Sequence, residues 1–233
     1  MRPGFHPRHR IGQQGPMSTD ETAAERPRRY RASPKRSATH AENARKIEEA
    51  AWIVFSTIGL DRASIRDIVV MSGVSAGTFY NYFRTKEAVF DLLMGRLLGE
   101  IRTLTGKARD DAADLESMLA HCYDVYLDFL ATREGARRFC ELNQHHIRSR
   151  LFGAETMAGL VGDIGRDLDR VMPGARLGPE ERTLMASMIV ATASEVLFLS
   201  EGAAMGSAGL GAFLTRLMVG GLRSWLPMTP QKE

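Results

Sequence analysis

Residues 64–86 read SIRDIVVMSGVSAGTFYNYFRTK. Ser64 and Asp67 form the pattern Ser-x-x-Asp, in which each side chain can satisfy the other residue's backbone amide at the start of a helix. Ile65, Ile68, Val69 and Met71 then recur at helical spacing and predict one apolar face. Gly73 can take the left-handed conformation that ends a helix cheaply, Val74 is the apolar plug of the turn, and Ser75 caps a second helix over 76–83. Two short helices joined by such a turn make a helix-turn-helix, whose second helix suits a DNA major groove.

The composition of that second helix supports the reading. Phe79 and Phe83 lie four residues apart and are assigned inward, which turns Thr78, Tyr82 and part of Asn81 outward and leaves Tyr80 at the margin. Hydroxyl and amide groups suit base edges and phosphate oxygens, and aromatic rings can cover sugars and thymine methyls. Lys86 follows the cap Thr85 at the start of the next helix, with its ammonium expected free for a phosphate. The candidate DNA-contacting residues are Ser64, Ser75, Gly77, Thr78, Tyr80, Asn81, Tyr82 and Lys86.

Residues 44–90, ARKIEEAAWIVFSTIGLDRASIRDIVVMSGVSAGTFYNYFRTKEAVF, resemble the DNA-binding domain of the TetR (tetracycline-repressor) family. The resemblance rests on Ile47, Ala51 and Phe55, then Gly59, Ser64, Ile68, Gly73-Val74-Ser75, Gly77-Thr78-Phe79-Tyr80, Tyr82-Phe83 and Lys86-Glu87. Asn81 stands where an aromatic residue is common in that family. The resemblance implies an all-α protein: a three-helix helix-turn-helix domain, then a larger helical domain that binds a ligand and dimerises. It also implies a homodimer built from the last two helices as a four-helix bundle, an inducer pocket in the middle helices, and most often a repressor.

Upstream, Thr39 and Glu42 predict a capping box opening a first helix over 39–58, closed by Gly59. Ile47, Ala50, Ala51, Val54, Phe55 and Ile58 form its buried stripe, and Trp52 lies off it, placed to support the recognition helix or the one that follows. Residues 1–38 hold five prolines, nine basic and three acidic residues, and almost no apolar periodicity. They read as a disordered basic tail, either a phosphate-binding arm or a solubilising segment. Met17 is a second candidate start. The net charge of +3 thus places +6 in the tail and leaves −3 for the remainder, so local placement of charge, not overall pI, speaks to DNA binding.

Downstream, a long amphipathic helix over 86–107 is expected to span the boundary between a 39–85 DNA-binding domain and an 86–228 regulatory and dimerisation domain, with a short tail at 229–233. Apolar stripes and breaks at Gly135, Gly153, Pro173-Gly174 and Gly178-Pro179 predict about nine helices in all. The middle helices carry polar and aromatic residues along apolar faces. Tyr123, Tyr126, Phe129, Cys140, Asn143, His146 and Met157 are the candidate ligand-binding residues, although a stripe of this kind also suits an ordinary core. Met185, Met188, Ile189, Val196, Phe213, Leu214 and Leu217 on the last two helices are the dimerisation candidates.

His145 and His146 point in different directions on a helix, so at most one joins Glu141, and no HExxH or CxxC is present; no metal site or cofactor is expected. Walker, GxGxxG and GxSxG motifs are lacking, and no catalytic residue is assigned. Cys122 and Cys140 are too few for a disulfide framework and fit a reducing cytoplasm as buried thiols, with a redox switch as the lesser reading. The polar N-terminus lacks the apolar core of a signal peptide, and no apolar run approaches membrane-spanning length. The expectation is a cytoplasmic homodimer that binds a palindromic operator in double-stranded DNA and is released by a small, hydrophobic effector. The alternative is a DNA-bound adaptor of the same fold, without an inducer, acting through a protein partner. An enzyme or carrier with an incidental helix-turn-helix ranks below both.

Overall fold

The computed structural model describes residues 34–151, 155–199 and 206–225. Among them the chain forms ten α-helices: α1 (Pro34–Arg62), α2 (Ile65–Ser72), α3 (Ala76–Tyr82), α4 (Lys86–Asp110), α5 (Leu115–Thr132), α6 (Ala136–Leu142), α7 (Gln144–Leu151), α8 (Glu155–Val171), α9 (Pro179–Leu199) and α10 (Ser207–Leu222). A single 3₁₀ turn, Arg223–Trp225, follows. Ten helices replace the nine expected because the run over 135–151 is split at Asn143, which leaves the helical conformation between α6 and α7. No described helix is long and apolar enough to cross a membrane.

Two expectations about α1 are corrected. The helix begins at Pro34 and passes through Thr39, which therefore does not cap it. Proline is well tolerated at the first helical position, where its missing N–H costs nothing, so Pro34 marks a start and not a break. The rest of the predicted basic tail lies outside the described residues. At the other end Gly59 does interrupt the helix, at φ 77° and ψ 162°, but one further turn follows it, with the Ala63 amide donating to the Gly59 carbonyl at 3.1 Å.

Two hydrophobic cores organise the helices. The first gathers Ile47, Ala51 and Phe55 of α1, one helical turn apart, with Ile68, Phe79, Phe90, Leu97, Phe139, Cys140 and Ile147. It therefore runs from the helix-turn-helix through α4 into α5, α6 and α7 without a break. A row of rings forms its spine: Trp52 stacks on Phe139 (4.6 Å between centroids), Phe139 on Phe90 (5.2 Å), and Phe90 meets Phe55 edge-on (5.5 Å). The second core joins α5, α8, α9 and α10 around Met118, Leu119, Tyr123, Leu168, Ala186 and Leu214. Trp52 packs neither on the recognition helix nor on α4 alone. Its indole donates to the Glu134 carbonyl at 3.1 Å, and the Arg133 guanidinium lies 5.0 Å from its ring.

Candidate nucleic-acid interface and effector cavity

The helix-turn-helix is built by local capping. The Ser64 hydroxyl accepts from the Asp67 amide (3.2 Å), and the Asp67 carboxylate accepts from the Ser64 amide (2.8 Å). The Ser64 hydroxyl also donates to the Asp67 carboxylate (2.7 Å), and this bond first, then the bond from the Ser64 amide, holds the Asp67 carboxyl below its ordinary range. Gly73 sits at φ 68°, in the left-handed region, and its amide donates to the Val69 carbonyl at 3.1 Å. Ser75 caps α3 by accepting from the Thr78 amide (3.0 Å), and the Ser75 and Thr78 hydroxyls share a bond of 2.8 Å. Thr85 caps α4 in the same way, accepting from the Ala88 amide at 3.1 Å.

Phe79 is fully buried and Phe83 packs on the first core, as expected. The tyrosines exchange their anticipated places. Tyr80 is 56 % exposed and points outward, whereas Tyr82 packs on the first core with its ring 4.4 Å from that of His40 on α1. Seven residues make only two turns, so the 100° step that brings Phe79 inward also swings Tyr82 toward α1. Asn81 and Gly77 are exposed on the same helix. Met71, assigned to the apolar face of α2, is instead exposed beside Val70. Arg62, Arg66 and Arg84 are exposed around the motif and were not among the candidates, although FRTK placed Arg84 directly after the recognition helix.

Lys86 is the main correction in this region. Its ammonium donates to the carbonyls of Leu60 (2.8 Å), Asp61 (3.3 Å) and Ala63 (2.7 Å) and is not free. The turn after Gly59 leaves helix-end carbonyls without amide partners, and a three-donor cation at the start of α4 satisfies them. Asn143 makes the reciprocal joint. Its side chain, 1 % exposed, accepts from the Leu60 amide at 2.6 Å and donates to the carbonyls of Phe55 (3.1 Å) and Phe139 (2.7 Å). Asn143 is thus a clamp between α1 and α6, away from the cavity described next. His146 lies beside it at the same joint, its Nε2 2.7 Å from Asp61 Oδ1.

An apolar cavity of about 100 Å³ lies among α4, α5, α6, α7, α8 and α9. Of the ligand-binding candidates it brings together Tyr123, Tyr126 and Cys140; Phe129, Asn143, His146 and Met157 are not on its wall. Phe129 packs on the first core with the Arg133 guanidinium 5.5 Å from its ring, and Met157 is half-buried between the two cores. The wall also includes residues not anticipated: Leu97 and Ile101 on α4, Cys122 on α5, and Ile189 and Ala193 on α9. Burial raises both thiols, Cys122 to about 11 and Cys140 to about 12. They stay protonated at neutral pH, which removes the thiolate that redox chemistry needs.

The last two helices divide the dimerisation candidates. Met188 and Leu217 are 60 % and 55 % exposed, and Phe213 is exposed beside them, together with Leu184 and Trp225. Met185 is buried but lines the floor of the groove between Met188 and Leu217. Ile189 and Leu214 are buried within the chain and face away from solvent, a correction that follows from their facing α5 and α8 in the second core. The side chain of Val196 lies outside the described residues.

Part of the chain is similar to known proteins. Residues 47–93 match the profile of bacterial regulatory proteins of the tetR family. An uncharacterised HTH-type transcriptional regulator of Bacillus subtilis, YvdT, is 49 % identical over 53 residues, which cover 23 % of this chain and 27 % of that protein. The HTH-type transcriptional repressor KstR2 of Rhodococcus jostii is 29 % identical over 93 residues, 37 % of this chain and 46 % of that protein. The chain thus spans less than half the length of the curated relatives it matches. In fold, it superposes on FadR of Bacillus subtilis, solved in complex with stearoyl-CoA, with a TM-score of 0.64 at 20 % identity, over 76 % of this chain and 98 % of that one.

Proposed function

We propose that this chain, whose residues 47–93 match the profile of bacterial regulatory proteins of the tetR family, is a homodimeric transcriptional repressor of that family, released from a palindromic operator by a small molecule bound in the cavity of its larger domain. The observation that carries this reading is the double attachment of α4. Its first residue, Lys86, holds the end of α1 at the helix-turn-helix, and its middle, through Leu97 and Ile101, is a wall of the cavity. A ligand that prefers one position of α4 over another changes the separation of two α3 helices in a dimer, and half-site spacing on DNA tolerates little change.

Base and phosphate contacts fall to α3 and its surroundings: Tyr80 and Asn81 outward, the capped hydroxyls of Ser75 and Thr78 at its start, Gly77 where the backbone can come close, and Arg66 and Arg84 on phosphates. Lys86 and Tyr82 contribute from behind, by fixing the angle of α3 against α1. The dimer forms through the exposed face of Leu184, Met188, Phe213, Leu217 and Trp225. The adaptor reading calls for a filled core, and the cavity counts against it.

The testing experiment is binding of the purified protein to its own upstream intergenic DNA at fixed salt, against scrambled DNA of equal length. Tight, competitor-resistant binding that Tyr80→Ala and Asn81→Ala weaken is the expected result. Equal binding to both DNAs, unchanged by either substitution, overturns it.

A further inference from the structure

Four of the described residues that line the cavity carry a hydroxyl, and three of these hydroxyls are spent. Thr105 donates to the Ile101 carbonyl (2.9 Å), Tyr126 to the Ala193 carbonyl (3.3 Å), and Ser194 to the Val190 carbonyl (2.9 Å). The fourth, on Tyr123, is 2 % exposed as a residue, and its oxygen has no hydrogen-bond partner. A buried hydroxyl without a partner is costly, and natural cores rarely keep one without a use for it. Burial also pushes the phenol upward from its ordinary value, so it remains a donor at any physiological pH.

Among the described lining residues the one ionic side chain is Arg109, which is buried and already paired: its Nε donates to Asp167 at 2.7 Å and one terminal nitrogen donates to Thr105 at 3.2 Å. An anion entering this space would lose its water and find that cation already neutralised. The volume sets the third limit. At about 100 Å³ the space is of the order of the ~150 Å³ cavity that holds benzene in an engineered protein core, and well below the ~300 Å³ at which sites for larger ligands begin.

We propose that the effector of this cavity is a small, uncharged, largely apolar molecule with one hydrogen-bond acceptor, a ketone or ester carbonyl, that takes the proton of the Tyr123 hydroxyl in a hydrogen bond. The proposal rests on the ligand-released reading above and narrows it to a ligand class. The Tyr123 hydroxyl selects for the acceptor, the apolar wall supplies most of the affinity, and the neutralised Arg109 excludes carboxylates.

The test is calorimetric titration of the full-length protein with cyclohexanone, with methylenecyclohexane, which replaces C=O by C=CH₂ at nearly the same shape, and with cyclohexanecarboxylate. The same series is run on Tyr123→Phe. In the unmodified protein cyclohexanone binds and the carboxylate does not. In Tyr123→Phe the ratio of ketone to methylene affinity falls about tenfold, the size of one hydrogen bond in a buried site. An unchanged ratio, a carboxylate that binds more tightly than the ketone, or no binding of the ketone overturns the proposal. Thermal denaturation without ligand gives a second reading. Removing an unpartnered hydroxyl leaves the melting temperature unchanged or raises it, and a fall of several degrees overturns the claim that the hydroxyl waits for a ligand. Operator affinity measured alongside separates the two readings. Tyr123-dependent ketone binding with no effect on operator affinity upholds the ligand class and overturns release by ligand; operator release by the carboxylate alone does the reverse.

Discussion

Two side chains join the reading head to the rest of the molecule, and both answer the same local problem. Gly59 takes a conformation at φ 77° that breaks α1, and the chain beyond it exposes backbone groups in a buried place. Asn143 takes the Leu60 amide and Lys86 takes the carbonyls of Leu60, Asp61 and Ala63. Asn143→Leu leaves the buried Leu60 amide without its acceptor and takes one hydrogen bond each from the Phe55 and Phe139 carbonyls, and stability falls by about 2–4 kcal/mol, read from urea denaturation. Lys86→Met is expected to cost about 1–3 kcal/mol of stability by the same measurement. Arg84→Ala, exposed after α3, leaves stability alone and reduces the slope of log affinity against log salt by about one unit. A Lys86→Met protein of unchanged stability would show that the joint is not what holds α1 to α4.

Among the elements, α2 and α3 are set by their caps more than by burial, because eight and seven residues are too few for a helix to be stable alone. Ser75→Ala removes the bond to the Thr78 amide and costs about 1 kcal/mol. Gly73→Ala meets no neighbouring atom, so its cost, about 1–2 kcal/mol, is that of placing a side chain at φ 68°. Tyr80→Ala, on the exposed side, changes neither stability nor helicity and weakens operator binding. The cap at Ser64 also carries a pH signature. The folded Asp67 carboxyl titrates below its ordinary value of 3.8, so its contribution is present above that pH and is lost as pH falls through the lower folded value. Acid titration of the unmodified protein against Asp67→Asn should show the two stabilities converging below pH 3.8; a constant gap would remove Asp67 from the cap's energetics.

For the whole molecule, Leu184, Met188, Phe213, Leu217 and Trp225 are large apolar side chains left exposed on the last two helices and the turn after them, and four of them, Leu184, Met188, Leu217 and Trp225, border one groove. Replacing Leu217 or Met188 by Glu is expected to give a monomer of unchanged helicity and to abolish tight operator binding, since one short reading helix cannot span two half-sites. Sedimentation of the Leu217→Glu protein as a dimer would place the interface elsewhere. The two cysteines bear on the molecule as a whole in another way. With both thiols raised by burial, alkylation by iodoacetamide is slow in the native protein and becomes fast on unfolding, so its rate reports opening of the cavity wall.

The helix-turn-helix was legible from residue order because its signals are local. Ser64 with Asp67, Gly73, and Ser75 act on atoms three or four residues away, and the apolar period names Phe79 as core without reference to any other helix. The all-helical character of the remainder was legible for the same reason. What the linear pattern left open was every question about which of two buried faces meets which neighbour. Tyr80 and Tyr82 differ only in their position relative to α1, which lies some forty residues earlier in the chain. Asn143 looked like a pocket residue until Leu60 was beside it, 83 positions away, and Lys86 looked free until α1 ended against it. Ile189 and Leu214 share the apolar character of Met188 and Leu217, and periodicity cannot say whether a stripe faces its own core or a second chain. The cavity is the extreme case: it is a space that several helices fail to fill together, and no single stretch of sequence contains it.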